Sequence, residues 1–361
     1  MRDQPLEIAS LHLSSVTSRV FLYHNPDTVF APVDTTTDTR GIDLIVADQN
    51  TVSLIPRSTP APVVILPAGE RAKHIDILED LLQSMVSAGL TRDSVVAAVG
   101  GGAITDVVAC AGSLYLRGID TILIPTSLLG MVDAAIGGKT GIDFGGFKNL
   151  VGTFAPAREI RISIPYLSSL SDREFRSGLA EVIKAALLGD GQLLTILEER
   201  AEAVLRRDLQ LLEEVISRAV AVKCSVVQQD FREVGTRAYL NLGHTFGHAL
   251  EATVGLGVLT HGEAVAWGIA RAAAAAEYEG IGDPAWGERT RAVLRRYGYD
   301  VSPCPASADP GAVIRAMQFD KKRLRSGLRF VVQTGPHQTE TRELAQETVV
   351  HILKHDKGTH S

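Results

Sequence analysis

Apolar residues in the first half of the chain come in short runs separated by turn residues, at 18–23, 42–47, 63–67, 94–99 and 121–125. Short runs rich in Val and Ile, bounded in this way, predict strands. Residues 72–88 carry the apolar spacing of an amphipathic helix, and another helix is expected from near Ile104. Strands that alternate with helices imply crossover connections and a parallel sheet. From about Arg173 the texture changes. Helical spacing recurs at 180–188, 193–205, 209–229, 247–254, 262–279 and 286–297, and the one late strand signal is 328–332. The predicted fold is an α/β N-terminal domain with a parallel, Rossmann-like sheet, residues 1–170, followed by a mostly α-helical C-terminal domain, residues 171–361.

Length agrees with two domains, because 361 residues exceed one ordinary core. Apolar residues make up 45% and charged ones 22%, the balance of a globular protein, and no apolar run of about 18 residues offers a membrane span. A net charge of −6 argues against a nucleic-acid partner, and the cluster Lys321-Lys322-Arg323 is too short to reverse that. Cys110, Cys224 and Cys304 are odd in number and far apart, so neither a disulfide framework nor a metal knuckle is expected. A reducing cytoplasm fits. The first residues carry no apolar signal-peptide core, and export is not expected.

Candidate chemistry begins at 241–248, where His244 and His248 stand four residues apart and share a helix face. His261 and Glu263 follow, and Glu181 lies upstream. Imidazole and carboxylate together suit a cation such as Zn²⁺, with a position left open for substrate or water. The glycines 100–102 end a predicted strand and open a helix, where backbone amides can approach a phosphate. Asp48 ends an earlier strand, where it could bind ribose hydroxyls, and Thr126 and Ser127 end the next one. A dinucleotide is therefore expected. Gly138-Lys139-Thr140 resembles the end of a P-loop, but the first glycine of that motif would fall on Asp133, and the reading fails. What remains is a glycine-rich loop with Lys139, Lys148 and Asn149, suited to an anion. Arg237 and Asn241, spaced as one helical turn, lead into His244.

Taken together these motifs resemble the dehydroquinate synthase superfamily of sugar-phosphate cyclases. The resemblance rests on segments 100–106, 115–118, 125–127, 132–133, 137–140, 148–149, 178–184, 241–248 and 259–265, in family order, with weaker matches at 48–50, 67–73 and 320–322. It implies a carbon–oxygen lyase of the shikimate pathway of aromatic amino acid biosynthesis. Such an enzyme uses NAD⁺ catalytically, with a divalent metal, usually Zn²⁺ with Co²⁺ as the alternative, to turn a seven-carbon keto-acid phosphate into 3-dehydroquinate.

The resemblance further implies metal ligands at Glu181, His244 and His261, which moves His248 from the metal to the substrate. It implies Asp48, Asn50, Glu70, Lys73, Gly101, Gly102, Asp106, Thr126, Ser127, Lys139 and Lys148 near NAD. Asp133, Lys139, Asn149, Lys184, Lys223, Arg237, Asn241, His248 and Lys322 are implied around the substrate. Arg117 would reach a neighbouring subunit, which implies a homodimer. Thr105 stands where the family has glycine, and Ala134-Ala135 where it has hydroxyl side chains. Arg237, Asn241 and His248 favour a carboxylate-bearing substrate over the sedoheptulose 7-phosphate, or amino analogue, of the sister cyclases. A polyol dehydrogenase of similar architecture would need fewer anion-binding side chains.

Overall fold

The computed structural model describes residues 4–13, 16–33, 40–255, 257–323 and 329–355, with the backbone alone at 318–323. The chain forms two compact units, Met1–Ser171 with Lys223–Phe231, and Asp172–Val222 with Arg232–Ser361.

The first unit contains, in order, β1 (Leu6–Leu13), β2 (Val16–Tyr23), β3 (Leu44–Asp48), β4 (Val63–Leu66), α1 (Ile75–Ser87), β5 (Val95–Gly100), α2 (Gly102–Leu114), β6 (Asp120–Pro125), β7 (Ile142–Phe144), β8 (Phe147–Val151) and β9 (Glu159–Ser163). Seven strands make one sheet in the order β1-β2-β9-β6-β5-β3-β4, parallel except for β1 against β2. β3 and β5 are buried at every position, which is why they read as unbroken apolar runs rather than as alternating ones. The chain steps outward from β3 to β4, then returns to place β5 on the other side of β3. The order of the sheet reverses between β3 and β5, the place where ligands of open parallel sheets collect. Asp48 and Gly100 end these two strands.

β9 escaped the sequence reading because it carries Glu159 and Arg161. Both are buried, and they satisfy each other. Arg161 Nη2 lies 2.6 Å from Glu159 Oε2, and its Nη1 donates to the Val29 and Ala31 carbonyls at 2.7 and 2.8 Å. The hairpin β7–β8 was also missed, being short and mostly exposed. The helix expected over 72–88 is instead a 3₁₀ turn, Gly69–Lys73, an extended His74, and then α1.

The second unit holds α3 (Asp172–Gly189), α4 (Gly191–Glu199), α5 (Ala201–Leu205), most of α6 (Leu209–Gln229), α7 (His244–Val254), α8 (His261–Tyr278), α9 (Pro284–Arg296), α10 (Pro310–Arg323), a hairpin of β10 (Arg329–Gly335) and β11 (Gln338–Glu343), and α11 (Gln346–Ile352). The helix expected at 193–205 is broken into α4 and α5 at Arg200, whose ψ of 24° leaves the helical range. The alanine-rich α8 is the hub, with α3, α7, α9, α11 and β10 packed on it. Small residues let these helices meet backbone to backbone. A Cβ added at Gly268 of α8 would fall 2.0 Å from the Gly243 carbonyl oxygen, ahead of α7. Among the described residues no helix is long and apolar enough to cross a membrane.

Candidate active site

In the second unit three helices each deliver one side chain to a common point. Glu181, on α3, is only 2% exposed. His244 and His261 are the first residues of α7 and α8. Glu181 Oε1 lies 3.9 Å from His244 Nε2 and 3.7 Å from His261 Nε2. One ligand atom from each of the three lies within 4.8 Å of the others. Neither carboxylate oxygen of Glu181 has a hydrogen-bond partner among the described residues, although the Lys184 ammonium forms an ion pair at Oε2. A buried acceptor left unbonded is costly. Here Oε1 faces two imidazole nitrogens, a donor set of one oxygen and two nitrogens that suits a divalent cation and leaves a position open.

Local structure fixes the His244 ring and the backbone that carries His261. His244 Nδ1 is 3.3 Å from the Leu242 carbonyl oxygen; donation there leaves the Nε2 lone pair turned towards Glu181. His261 follows the N-cap of α8. Thr260 Oγ1 accepts from the Glu263 amide at 3.2 Å, and Glu263 Oε2 accepts from the Thr260 amide at 2.7 Å. Glu263, close to the histidines in sequence, is thus occupied in a capping box. Next to it, the Gly262 amide donates to Ser177 Oγ at 3.1 Å, which ties α8 to α3.

His248 shares the α7 stripe with His244, yet it groups with Glu251 and His261 rather than with Glu181. The spacing of Arg237 and Asn241 does not make one turn, because Thr236–Asn241 is a 3₁₀ helix with about three residues per turn. Arg237 is buried, and Asn241 Nδ2 donates to Glu233 Oε1 at 2.8 Å. Glu233 was not anticipated. It sits in a turn with φ of 57°, where no periodicity marks it. Lys322 lies on the α10 backbone, and its side chain is outside the described residues.

In the first unit Asp48 closes its own turn after β3, accepting from the Asn50 and Thr51 amides at 2.8 and 2.9 Å. Thr51 Oγ1 in turn donates to the Val99 carbonyl at 2.8 Å, joining the ends of β3 and β5 at the reversal point. Gly101 caps α2 and Gly102 begins it. A Cβ on Gly102 would meet that of Ala134 at 3.1 Å. Thr126 and Ser127 are buried, with Ser127 Oγ accepting from the Gly130 amide at 3.1 Å. The buried Lys73 ammonium donates to Asp106 Oδ2 at 2.6 Å and also to Asn149 Oδ1. Two residues expected at NAD and one expected at the substrate therefore share one contact.

Asp133, in a π-helical turn at Gly130–Ala134, receives the Lys223 ammonium at 2.5 Å on both its carbonyl and Oδ1. Lys223 lies in the helical half of the sequence but belongs to the first unit. Asn50, Glu70, Arg117, Lys139 and Lys148 are exposed. Arg117 and Asn149 take φ of 70° and 54°, a left-handed backbone uncommon outside glycine.

Burial pushes the Asp106 carboxyl up from 3.8 to about 6, against the pull of Lys73. For Lys73, burial is outweighed by the attraction of Asp106, and its ammonium is held above the usual range. The sign follows from linkage. A carboxyl that holds its proton more tightly when folded adds stability that is complete below 3.8 and gone above about 6. Asp106→Asn removes that contribution. In urea melts between pH 4 and 7 the stability of the parent over this variant is expected to shrink as pH rises; a gap that widens would refute the assignment.

A family model described as 3-dehydroquinate synthase N-terminal matches residues 63–177, and one described as 3-dehydroquinate synthase C-terminal matches 178–323. The 3-dehydroquinate synthase of Pelobacter propionicus is 39% identical over 293 residues, 80% of this chain and 80% of that protein. Among solved structures, 2-epi-5-epi-valiolone synthase from Streptomyces hygroscopicus, with NAD⁺ and Zn²⁺ bound, is 28% identical. It superimposes with a TM-score of 0.83 over 95% of this chain and 97% of its own. A 2-deoxy-scyllo-inosose synthase complexed with carbaglucose-6-phosphate, NAD⁺ and Co²⁺ shares the fold at 22% identity and a TM-score of 0.81, over 96% of this chain and 99% of its own. With both halves of the family pattern matched end to end, and a relative this similar over four-fifths of the sequence, the chain belongs to the 3-dehydroquinate synthase family.

Proposed function

We propose that this chain is an NAD- and metal-dependent 3-dehydroquinate synthase, a lyase that cyclises a seven-carbon keto-acid phosphate with release of phosphate. The observation that carries this reading is the buried Oε1 of Glu181, unbonded and turned towards His244 Nε2 and His261 Nε2. A divalent cation held by Glu181, His244 and His261, Zn²⁺ or Co²⁺ as in the two cyclase structures, would act as a Lewis acid on substrate oxygens. NAD⁺ supplies a hydride acceptor that is restored within each turnover.

The chain's own side chains do the rest. Asp48, Asn50, Glu70, Gly101, Gly102, Thr126, Ser127, Lys139 and Lys148, with the Lys73–Asp106 pair, hold the cofactor, so that residues 1–170 form the NAD-binding domain. Residues 171–361, apart from the stretch Lys223–Phe231 that joins the first unit, bind metal and substrate. Arg237, Asn241, His248 and Lys322, with Lys139 and Asn149, bind the anionic groups of the substrate. Lys184 holds the Glu181 carboxylate in place. Asp133 and Lys223, 2.5 Å apart, present a carboxylate acceptor and an ammonium donor to the hydroxyl groups of the substrate.

We also infer a cytoplasmic homodimer. Leu114, Leu116, Phe144, Phe147, Leu150 and Val151 are exposed, and the Thr153 hydroxyl donates to Ser113 Oγ at 2.8 Å, which brings the end of the β7–β8 hairpin to the end of α2. Apolar surface of this extent favours association. Arg117 lies beside it. The three cysteines are free thiols, as a reducing compartment keeps them. A monomeric mass in solution at micromolar concentration would count against the dimer.

The assay that decides the function follows phosphate release from the keto-acid phosphate and from sedoheptulose 7-phosphate, each with and without NAD⁺ and chelator. Release is expected from the first alone, dependent on NAD⁺ and abolished by chelator. Turnover of the second alone would make the chain a sister cyclase.

A further inference from the structure

His261 presents a different carboxylate to each ring nitrogen. Its Nε2 is 3.7 Å from Glu181 Oε1, and its Nδ1 is 3.9 Å from Glu251 Oε2. Glu251 lies three residues beyond His248 and seven beyond His244, so one stripe of α7 carries all three. The two imidazoles of the cluster thus differ in what stands behind them. His244 has the Leu242 carbonyl at its Nδ1, whereas His261 has an acidic side chain. An imidazole that binds metal through one nitrogen needs a proton on the other, and an acceptor there sets both the tautomer and the ring angle. A backbone carbonyl does this as a neutral acceptor; a carboxylate also adds negative charge that strengthens the ligand.

We propose that Glu251 is the positioning residue for His261: its carboxylate accepts the Nδ1 proton and directs the Nε2 lone pair to the cation. The present separation is about 1 Å longer than a hydrogen bond. The capping box and the Ser177 contact hold the His261 backbone, so the part that has to move to close that gap is the Glu251 side chain. The inference rests on reading Glu181, His244 and His261 as a metal site. It differs from the other use these side chains allow, a second ion held by His248, Glu251 and His261.

The test is titration of the metal-free, full-length chain with Zn²⁺ alone against a competing chelator. The parent should bind one ion per chain. Glu251→Met should weaken Zn²⁺ binding by roughly 10–100-fold, and Glu251→Gln, which keeps an acceptor without the charge, by less. Affinities are compared on metal-free protein shown to be folded by far-UV circular dichroism, so that a loss of stability in a variant is separated from a loss of metal. If the methionine variant does not fold, Glu251→Asp keeps the charge but withdraws the acceptor by one methylene, and it should also bind Zn²⁺ more weakly. Unchanged affinity in the variants would overturn the role of Glu251 alone. Two ions per parent chain, with one lost in each variant, would replace that role with a second metal site. A parent that binds no Zn²⁺ would overturn the metal site itself.

Discussion

Glu181→Gln is expected to lower kcat by at least about a thousandfold, the equivalent of several kcal/mol of charge stabilisation withdrawn from the reacting oxygens. The amide keeps the size of the side chain but gives up the anionic oxygen that faces His244 and His261. Metal content measured on the purified variant should fall to background. A second cost accompanies the first, because the ammonium of Lys184, which is 3% exposed, loses the carboxylate it pairs with. Breaking one partner of a buried pair destabilises more than deleting both. His261→Ala should therefore match Glu181→Gln in lost metal and turnover while melting at a higher temperature in the metal-free state. Chelator applied to the parent should reproduce the alanine variant. A glutamine variant that retained both metal and rate would remove Glu181 from the site.

Gly262→Ala is expected to destabilise the second unit by about 3 kcal/mol, the upper part of the usual overpacking range, and to lower its melting temperature by about 6–12 °C. The added Cβ would lie 2.0 Å from the Ser177 carbonyl oxygen and 2.6 Å from the Ser177 C and Cα atoms. Those atoms are backbone in the middle of α3, so no side chain can swing aside. The helices must part, and His261, the adjacent residue, moves with α8. Zn²⁺ affinity should fall even at temperatures where the variant is folded. Gly41→Ala is the control. A Cβ there meets nothing within 4 Å, and its effect should stay within about 0.5 kcal/mol. Equal melting of the two alanine variants would refute the packing argument.

The parts of this molecule legible in the sequence are those in which one physical rule acts alone. β3 and β5 are buried on both faces, so continuous apolar runs gave them away, and the glycines 100–102 marked the end of β5 and the start of α2. The histidine spacing likewise exposed α7 before any geometry was known. Other features hide because two effects compete. β9 looks polar until Glu159 and Arg161 are seen to neutralise each other in the core. The 3₁₀ helix at Thr236–Asn241 breaks an α-helical count, and with it the expectation that Arg237 and Asn241 stack. Glu251 was present in the α7 pattern, three residues after His248, but only coordinates reveal which imidazole nitrogen it faces. Close helix approach is the least visible of all. At Gly262 and Gly268 the informative fact is the absence of an atom, and neither periodicity nor composition records it.

The return of Lys223–Phe231 to the first unit bears on how such chains can be cut and rejoined. This short stretch supplies the ammonium at Asp133 and the Phe231 ring that lies edge-on to Phe154, 5.6 Å between centroids, and against Gly138. A chimera spliced after Ser171 would take these nine positions from the donor of the other half, so a hybrid gene made at the obvious seam inherits a mismatched plug. Shuffling between relatives should succeed only where the donor happens to carry a compatible lysine and aromatic ring, or where the crossover is made twice.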